Sequence, residues 1–218
     1  MNYYTEAGRR LLWVSLFGIA FGFVEASVVV YLRSLYYPGG FTFPLKMINQ
    51  PLLTIELARE GATIVMLASV GIMAGKQFWE RFALFLVAFG LWDLFYYVWL
   101  KVTMGWPHTL TDWDILFLLP LPWIGPVVAP VVIAGLMAIT GGIIVVRLTK
   151  GEGFRPNFRS WLAGAVATAA LLYSFMADTG ATLHAKAPEP YRYELLLVSL
   201  LLYGVGFMTA CDNKHARQ

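Results

Sequence analysis

Six long apolar stretches, joined by short polar connections, decide what this chain can fold into: Leu11–Leu32, Leu52–Gly75, Phe82–Lys101, Leu121–Val146, Trp161–Gly180 and Tyr193–Cys211. About 20 apolar residues in a helix cross a hydrocarbon core roughly 30 Å thick. In lipid every backbone N–H and C=O must be satisfied internally, so such segments are expected to be helical. The alternation of an outer-membrane barrel strand is missing from them. The expected fold is therefore all-α: a polytopic bundle of about six transmembrane helices, with residues 1–218 forming one domain. Only 13% of the residues are Asp, Glu, Lys or Arg, about half the share of a soluble domain.

Arg9-Arg10 before the first apolar run resembles a signal peptide. The run holds Glu25 and ends on Tyr31-Leu32-Arg33 without a small-residue cleavage site, which predicts a retained helix. The net charge of +3 comes mostly from Lys and Arg in the connections, a topology signal rather than a nucleic-acid surface. With six crossings, ten cations (Arg9, Arg10, Lys76, Arg81, Arg147, Lys150, Arg155, Arg159, Lys214, Arg217) fall on the side of the termini and five (Arg33, Lys46, Lys101, Lys186, Arg192) on the other. This asymmetry predicts cytoplasmic termini in a bacterial cytoplasmic membrane. Cys211 is the single cysteine, which excludes an internal disulfide and a thiolate cluster.

The connection from Val102 to Pro120 is longer than the others, and Ile115–Leu119 is too short to span. The expectation here is a short outer-face helix near 112–119. Pro120, Pro122, Pro126 and Pro130 then bend the start of the fourth span. Alternatively that helix begins near Pro126 or Pro130, behind irregular backbone that must be buried in protein or wetted.

Charges inside the spans carry the functional information, because one at the bilayer centre costs roughly 2.5–3.5 kcal/mol on insertion scales. At about 1.5 Å per residue, Glu25 lies roughly 21 Å from the inner end of the first span. Glu60 and Asp93 each lie roughly 12 Å from the outer end of theirs. Three carboxylates on three helices thus share one layer beneath the outer face, while the inner halves of the spans carry no Asp, Glu, Lys, Arg or His. Glu56, Arg59 and Glu60 share one helix face, as do Asp93 and Tyr97. Gly18, Gly22 and Ala26 form a small-residue stripe that invites close helix approach. A plain account makes these groups structural pairs: Arg59 with Glu60, Tyr97 with Asp93, and Glu25 with a hydroxyl of another helix. A functional account makes Glu25, Glu60 and Asp93 acid–base groups or ligands, Arg59 an anion anchor and Tyr97 a donor.

In the outer loop, His108, Asp112 and Asp114 offer an imidazole and two carboxylates to Zn, Mn or Fe. Together with Glu25, Glu60 and Asp93 they are the candidate ligands of a divalent metal ion. The competing account is a capping box, with Thr111 as N-cap and Asp114 three residues on. Asp178 is expected shallower on the same side, His184 in the fifth outer loop is expected to be solvated, and His215 in the polar tail to be inert. No span core contains histidine and no glycine loop suits a phosphate, so neither haem nor a nucleotide is expected.

The leading expectation is an outward-facing intramembrane carboxylate pocket, metal-assisted or acid–base, acting on a membrane lipid or other apolar small molecule. The alternatives are a structural subunit associated with other membrane proteins, and a proton- or cation-coupled transporter. The transporter reading is weakened by the thin polar track of the inner halves. No nucleic-acid partner is expected.

Overall fold

The computed structural model describes residues 3–43, 46, 50–180, 184 and 186–212. His215, Lys214, Arg217 and part of the first outer loop lie outside the described residues. Among the described residues six long helices follow one another: α1 (Tyr3–Tyr36), α2 (Gln50–Ala74), α3 (Phe78–Met104), α4 (Val128–Thr149), α5 (Phe158–Met176) and α6 (Tyr193–Cys211). Five of them, all but α5, are long and apolar enough to cross a membrane. Helix α5 falls short of the other five because it has only four Leu or Val beside five Ala, is interspersed with Ser and Thr, and carries Arg159 in its first turn. It nonetheless runs antiparallel to α6. Ser160 Oγ lies 2.8 Å from Thr209 Oγ1 at one end, and Thr168 Oγ1 lies 2.8 Å from the Tyr203 hydroxyl further along.

Local chemistry sets the helix ends. Asn157 caps α5, accepting from the Ser160 amide at 3.0 Å in a reciprocal capping box, which satisfies N–H groups with no partner inside the helix. Gly105 ends α3 in the left-handed region, φ +69°, with its N–H on the Lys101 carbonyl, a conformation glycine adopts without a Cβ penalty. At the end of the bundle where α1 begins, Arg10 of α1 is ion-paired with Glu80 of α3, whose other oxygen accepts the Lys76 amide at 2.7 Å. There too, Arg147 of α4 donates to the Cys211 carbonyl at 3.1 Å.

Helix α3 is the axis of the bundle, packed between α1 and α4 with α2 alongside. The expected small-residue stripe makes the first of these contacts. A Cβ on Gly18 would stand 2.8 Å from the Ala88 carbonyl oxygen, and one on Gly22 2.7 Å from that of Trp92. On the opposite side, a Cβ on Gly90 of α3 would stand 2.4 Å from the Ala134 carbonyl oxygen of α4. Without a hydrophobic drive between helices in lipid, such close approach supplies the dispersion contact that holds them together.

The segment between α3 and α4 corrects the expected outer-face helix. It is an antiparallel hairpin, β1 (Trp113–Phe117) on β2 (Trp123–Pro126), with Asp114 opposite Gly125 and Ile115 opposite Ile124. Leu119 precedes Pro120 and is driven from the helical region. Pro120 and Pro122 confine the turn, and Trp, Ile and Phe favour strand. The alternative start for the fourth helix is the observed one, since α4 begins at Val128. The hairpin reaches into the bundle from the end where α1 finishes. Phe117 packs on the cluster around Phe21 and Trp92, Trp123 stacks on Phe175 of α5, and the Thr179 hydroxyl donates to the Pro122 carbonyl at 3.0 Å.

Gly22→Ala is expected to destabilise the detergent-purified protein by about 1–3 kcal/mol through overpacking. Gly204→Ala, where a Cβ meets nothing within 4 Å, is expected to be neutral or slightly stabilising. Thermal unfolding of the two variants beside the parent measures the difference.

Candidate functional site

Each wall of the site comes from a separate element. Helix α1 contributes Glu25, which borders the small-residue stripe and is only 5% exposed. Helix α2 contributes Arg59, Glu60 and Thr63, spaced to share one face. Helix α3 contributes Asp93 with Trp92, Tyr96 and Tyr97, and strand β1 closes the space with Ile115–Phe117. The enclosed cavity is about 60 Å³, room for a few waters or one small polar group. Glu25, Arg59, Glu60, Asp93 and Tyr97, picked out on sequence, all line it.

Their partners differ from the simple pairs. Arg59 bridges two acids, Glu25 of α1 and Glu56 one turn back on α2, the latter at 2.8 Å. Thr63 donates its hydroxyl to the second Glu25 oxygen at 2.6 Å, so the hydroxyl expected for Glu25 is present beside the guanidinium. Glu60 is not the ion-pair partner of Arg59. Its carboxylate accepts the backbone N–H of Leu118, at 2.9 and 3.1 Å from the two oxygens. Glu60 thereby satisfies a donor of the hairpin turn that would otherwise have none at this depth.

Tyr97 does not serve Asp93 either: its phenol faces Asp114. Among the described residues the Asp93 carboxylate makes no hydrogen bond or ion pair, in contrast to Glu25 and Glu60. Trp92 is 8% exposed, and its indole N–H also lacks an acceptor. Arg59 therefore faces three acids, Glu25, Glu56 and Glu60, and is bonded to two of them.

A second buried ion pair lies just outside the cavity. Arg33, near the end of α1, donates to Asp114 of β1 at 2.7 Å; the two residues are 5% and 1% exposed. The guanidinium sits over the rings of Trp106, 3.8 Å away, and Phe41, 4.1 Å away. Among the described residues one nitrogen of Arg33 has no hydrogen-bond partner. The pair ties the hairpin to the end of α1 and thereby sets where β1 lies over the cavity.

These contacts dissolve the proposed loop triad. Asp114 points to Arg33 and belongs to no helix, so the Thr111–Asp114 capping box does not form. Asp112 instead closes a turn, accepting from the Thr109 hydroxyl at 2.6 Å and from the His108 amide at 2.7 Å. Slight burial works against ionisation of Asp112, but those hydrogen bonds outweigh it and hold its carboxyl below the usual range. His108 is exposed. Among the described residues no three His, Cys, Asp or Glu side chains come together as a metal-ligand set, whether in the loop or around Glu25, Glu60 and Asp93. Asp178 accepts the Glu189 amide at 2.6 Å, and exposed His184 contacts the Gly180 carbonyl, both at the outer surface.

Thr63 and Tyr96 were missed on sequence, although Thr63 lies four residues beyond Arg59 and so shares its face. The Arg33–Asp114 pair has no local signature, because 81 residues separate its members. No protein-family model, curated protein or solved structure matches the chain, so the chemistry of the site is read from its own residues.

Asp114→Asn should leave a buried guanidinium uncompensated and destabilise the protein by about 3–5 kcal/mol. Asp112→Asn, at the exposed turn, should cost no more than about 1 kcal/mol. Urea or thermal unfolding followed by tryptophan fluorescence distinguishes the two, and equal effects would remove the structural role given to the Arg33–Asp114 pair.

Proposed function

We propose that the chain is a membrane-integral protein of the bacterial cytoplasmic membrane with six crossings and cytoplasmic termini. In this reading its outer-half cavity is an acid–base site for a lipid-like or other apolar-tailed molecule. The five apolar helices and the ten-to-five bias of cations support the topology. The pairing of α5 with α6 supports the sixth crossing, since α5 accompanies a helix that is itself long enough to span.

One observation carries the functional reading. Among the carboxylates lining the cavity, Glu25 is held by Arg59 and Thr63, and Glu60 by the hairpin turn, while Asp93 has no partner among the described residues. A carboxylate carried this far into a bilayer and left unpaired is costly as mere structure. Asp93 can exchange a proton with a molecule that enters, Tyr96 and Trp92 can contact it, and Arg59 fixes Glu25 rather than reaching for a substrate anion. The scattered acid geometry favours acid–base chemistry over metal assistance.

The test reconstitutes the full chain in nanodiscs of its host's total lipid and compares lipid mass spectra after incubation. The parent is expected to convert one lipid class. Asp93→Asn should slow that conversion by about 10²–10⁴-fold, the usual contribution of a positioned acid or base. Identical spectra for the parent, Asp93→Asn and empty nanodiscs would overturn the proposal.

A further inference from the structure

We infer that the end of the bundle where α1 begins seats the head group of an anionic phospholipid, held by Arg81, Arg155 and Arg159 around the rings of Trp79 and Trp161. This surface is separate from the cavity, which lies toward the other end, and it stands without the acid–base reading.

The two ends differ in charge. Where α1 begins, Glu6, Glu80 and Glu152 are each ion-paired, with Lys76, Arg10 and Arg147. The further cations there are Arg9, Arg81, Lys150, Arg155 and Arg159, against one further described acid, Asp212. At the other end the described Lys and Arg outside the cavity are matched one for one by Asp and Glu. The surplus of positive charge is therefore confined to one end, and it attracts anions there.

Aromatic rings gather part of that surplus in one place. The Trp79 ring, at the start of α3, meets Phe82 and Phe154, and it meets Trp161 at the start of α5 with centroids 6.1 Å apart. One ring cluster thus joins α3, the connection before α5, and α5 itself. Arg81, Arg155 and Arg159 lie within two residues of Trp79, Phe154 and Trp161 respectively, and all three are exposed. The Trp161 ring is exposed as well. Glu80, between Trp79 and Arg81, is buried and already held by Arg10 and the Lys76 amide. It does not answer these cations.

Exposed guanidinium groups beside an exposed indole suit the boundary between hydrocarbon and head groups. Guanidinium groups bond phosphate oxygens two at a time, and basic residues at that level attract anionic lipid. A zwitterionic head group brings its own ammonium to a patch that is already cationic, whereas an anionic one does not. A soluble phosphate lacks the chains that would cover exposed Phe82, Trp161 and Leu162. The occupant that satisfies both the charge and the apolar surface is an anionic phospholipid.

The experiment titrates the detergent-purified full chain with dioleoyl phosphatidylglycerol, dioleoyl phosphatidylcholine and glycerol 3-phosphate. It reads the melting temperature and, by native mass spectrometry, the lipid retained. Phosphatidylglycerol is expected to raise the melting temperature saturably and to stay bound, less so at high salt, while the other two do neither. In Arg155→Gln/Arg159→Gln its affinity should fall at least tenfold, as for two basic residues removed from a lipid surface. Arg159→Gln alone should lower it several-fold; this side chain makes no hydrogen bond or ion pair among the described residues, so the single variant keeps the test decisive if the double one does not fold. Lys186→Gln/Arg192→Gln, at the other end, should leave the affinity unchanged. An equal shift with phosphatidylcholine or glycerol 3-phosphate, an equal loss in the Lys186/Arg192 variant, or undiminished binding in both Arg159 variants would overturn the inference.

Discussion

Buried backbone amides must find acceptors inside the protein, and the hairpin between α3 and α4 is where this chain meets that constraint most sharply. Two short strands satisfy one another along one edge, and the turn beyond Phe117 cannot. Glu60 supplies the missing acceptor at Leu118. Helices α1, α2 and α3 cover β1 on one side, while α5 and its neighbours cover β2 through Trp123 and Phe175. Arg33 and Asp114 then fasten the outer part of the hairpin to α1. The cavity is a consequence of this arrangement, because β1 is both a structural insert and the lid over the carboxylates.

That arrangement divides the intramembrane charges into two kinds. Glu25, Glu56 and Arg59 form a network in which the guanidinium joins α1 to α2, and Glu60 joins α2 to the hairpin. These groups build the walls, and removing one partner leaves the other buried and uncompensated. Asp93 and the Trp92 N–H contribute nothing comparable to the walls. They are adjacent in sequence on α3, the helix whose position is set on one side by Gly18 and Gly22 and on the other by Gly90. The helix with the closest backbone contacts thus carries the cavity carboxylate that has no partner among the described residues.

Much of this was legible in the sequence for physical reasons. Helices in lipid announce themselves through length and apolarity, which is why the elements appeared near the expected positions. Spacing by three and four placed Arg59, Glu60 and the glycine stripe on defined faces, and counting residues from the span ends brought Glu25, Glu60 and Asp93 to one depth. Pairing was not legible. Arg59 has acids on both sides, and only the approach of α1 decides that Glu25 prevails over Glu60. The hairpin was read as a helix because five apolar residues after two acids resemble a capped turn; the prolines that forbid this follow the run rather than interrupt it. Asp114 looked like a cap or a ligand because its true partner, Arg33, is distant in sequence. The fifth span was read from a continuous run of weakly apolar residues, and its smaller side chains leave it short of the other five.

The central claim is that the hairpin turn is held inside the outer half of the bundle by the Glu60 carboxylate. Hydrogen exchange at the Leu118 amide, followed by mass spectrometry of peptides covering 113–122 in the detergent-purified chain, measures it most directly. The account predicts slow exchange in the parent and exchange at least tenfold faster in Glu60→Ala, with peptides from the centre of α4 unchanged. A Leu118 amide that exchanges freely in the parent, or stays equally protected without Glu60, would contradict it.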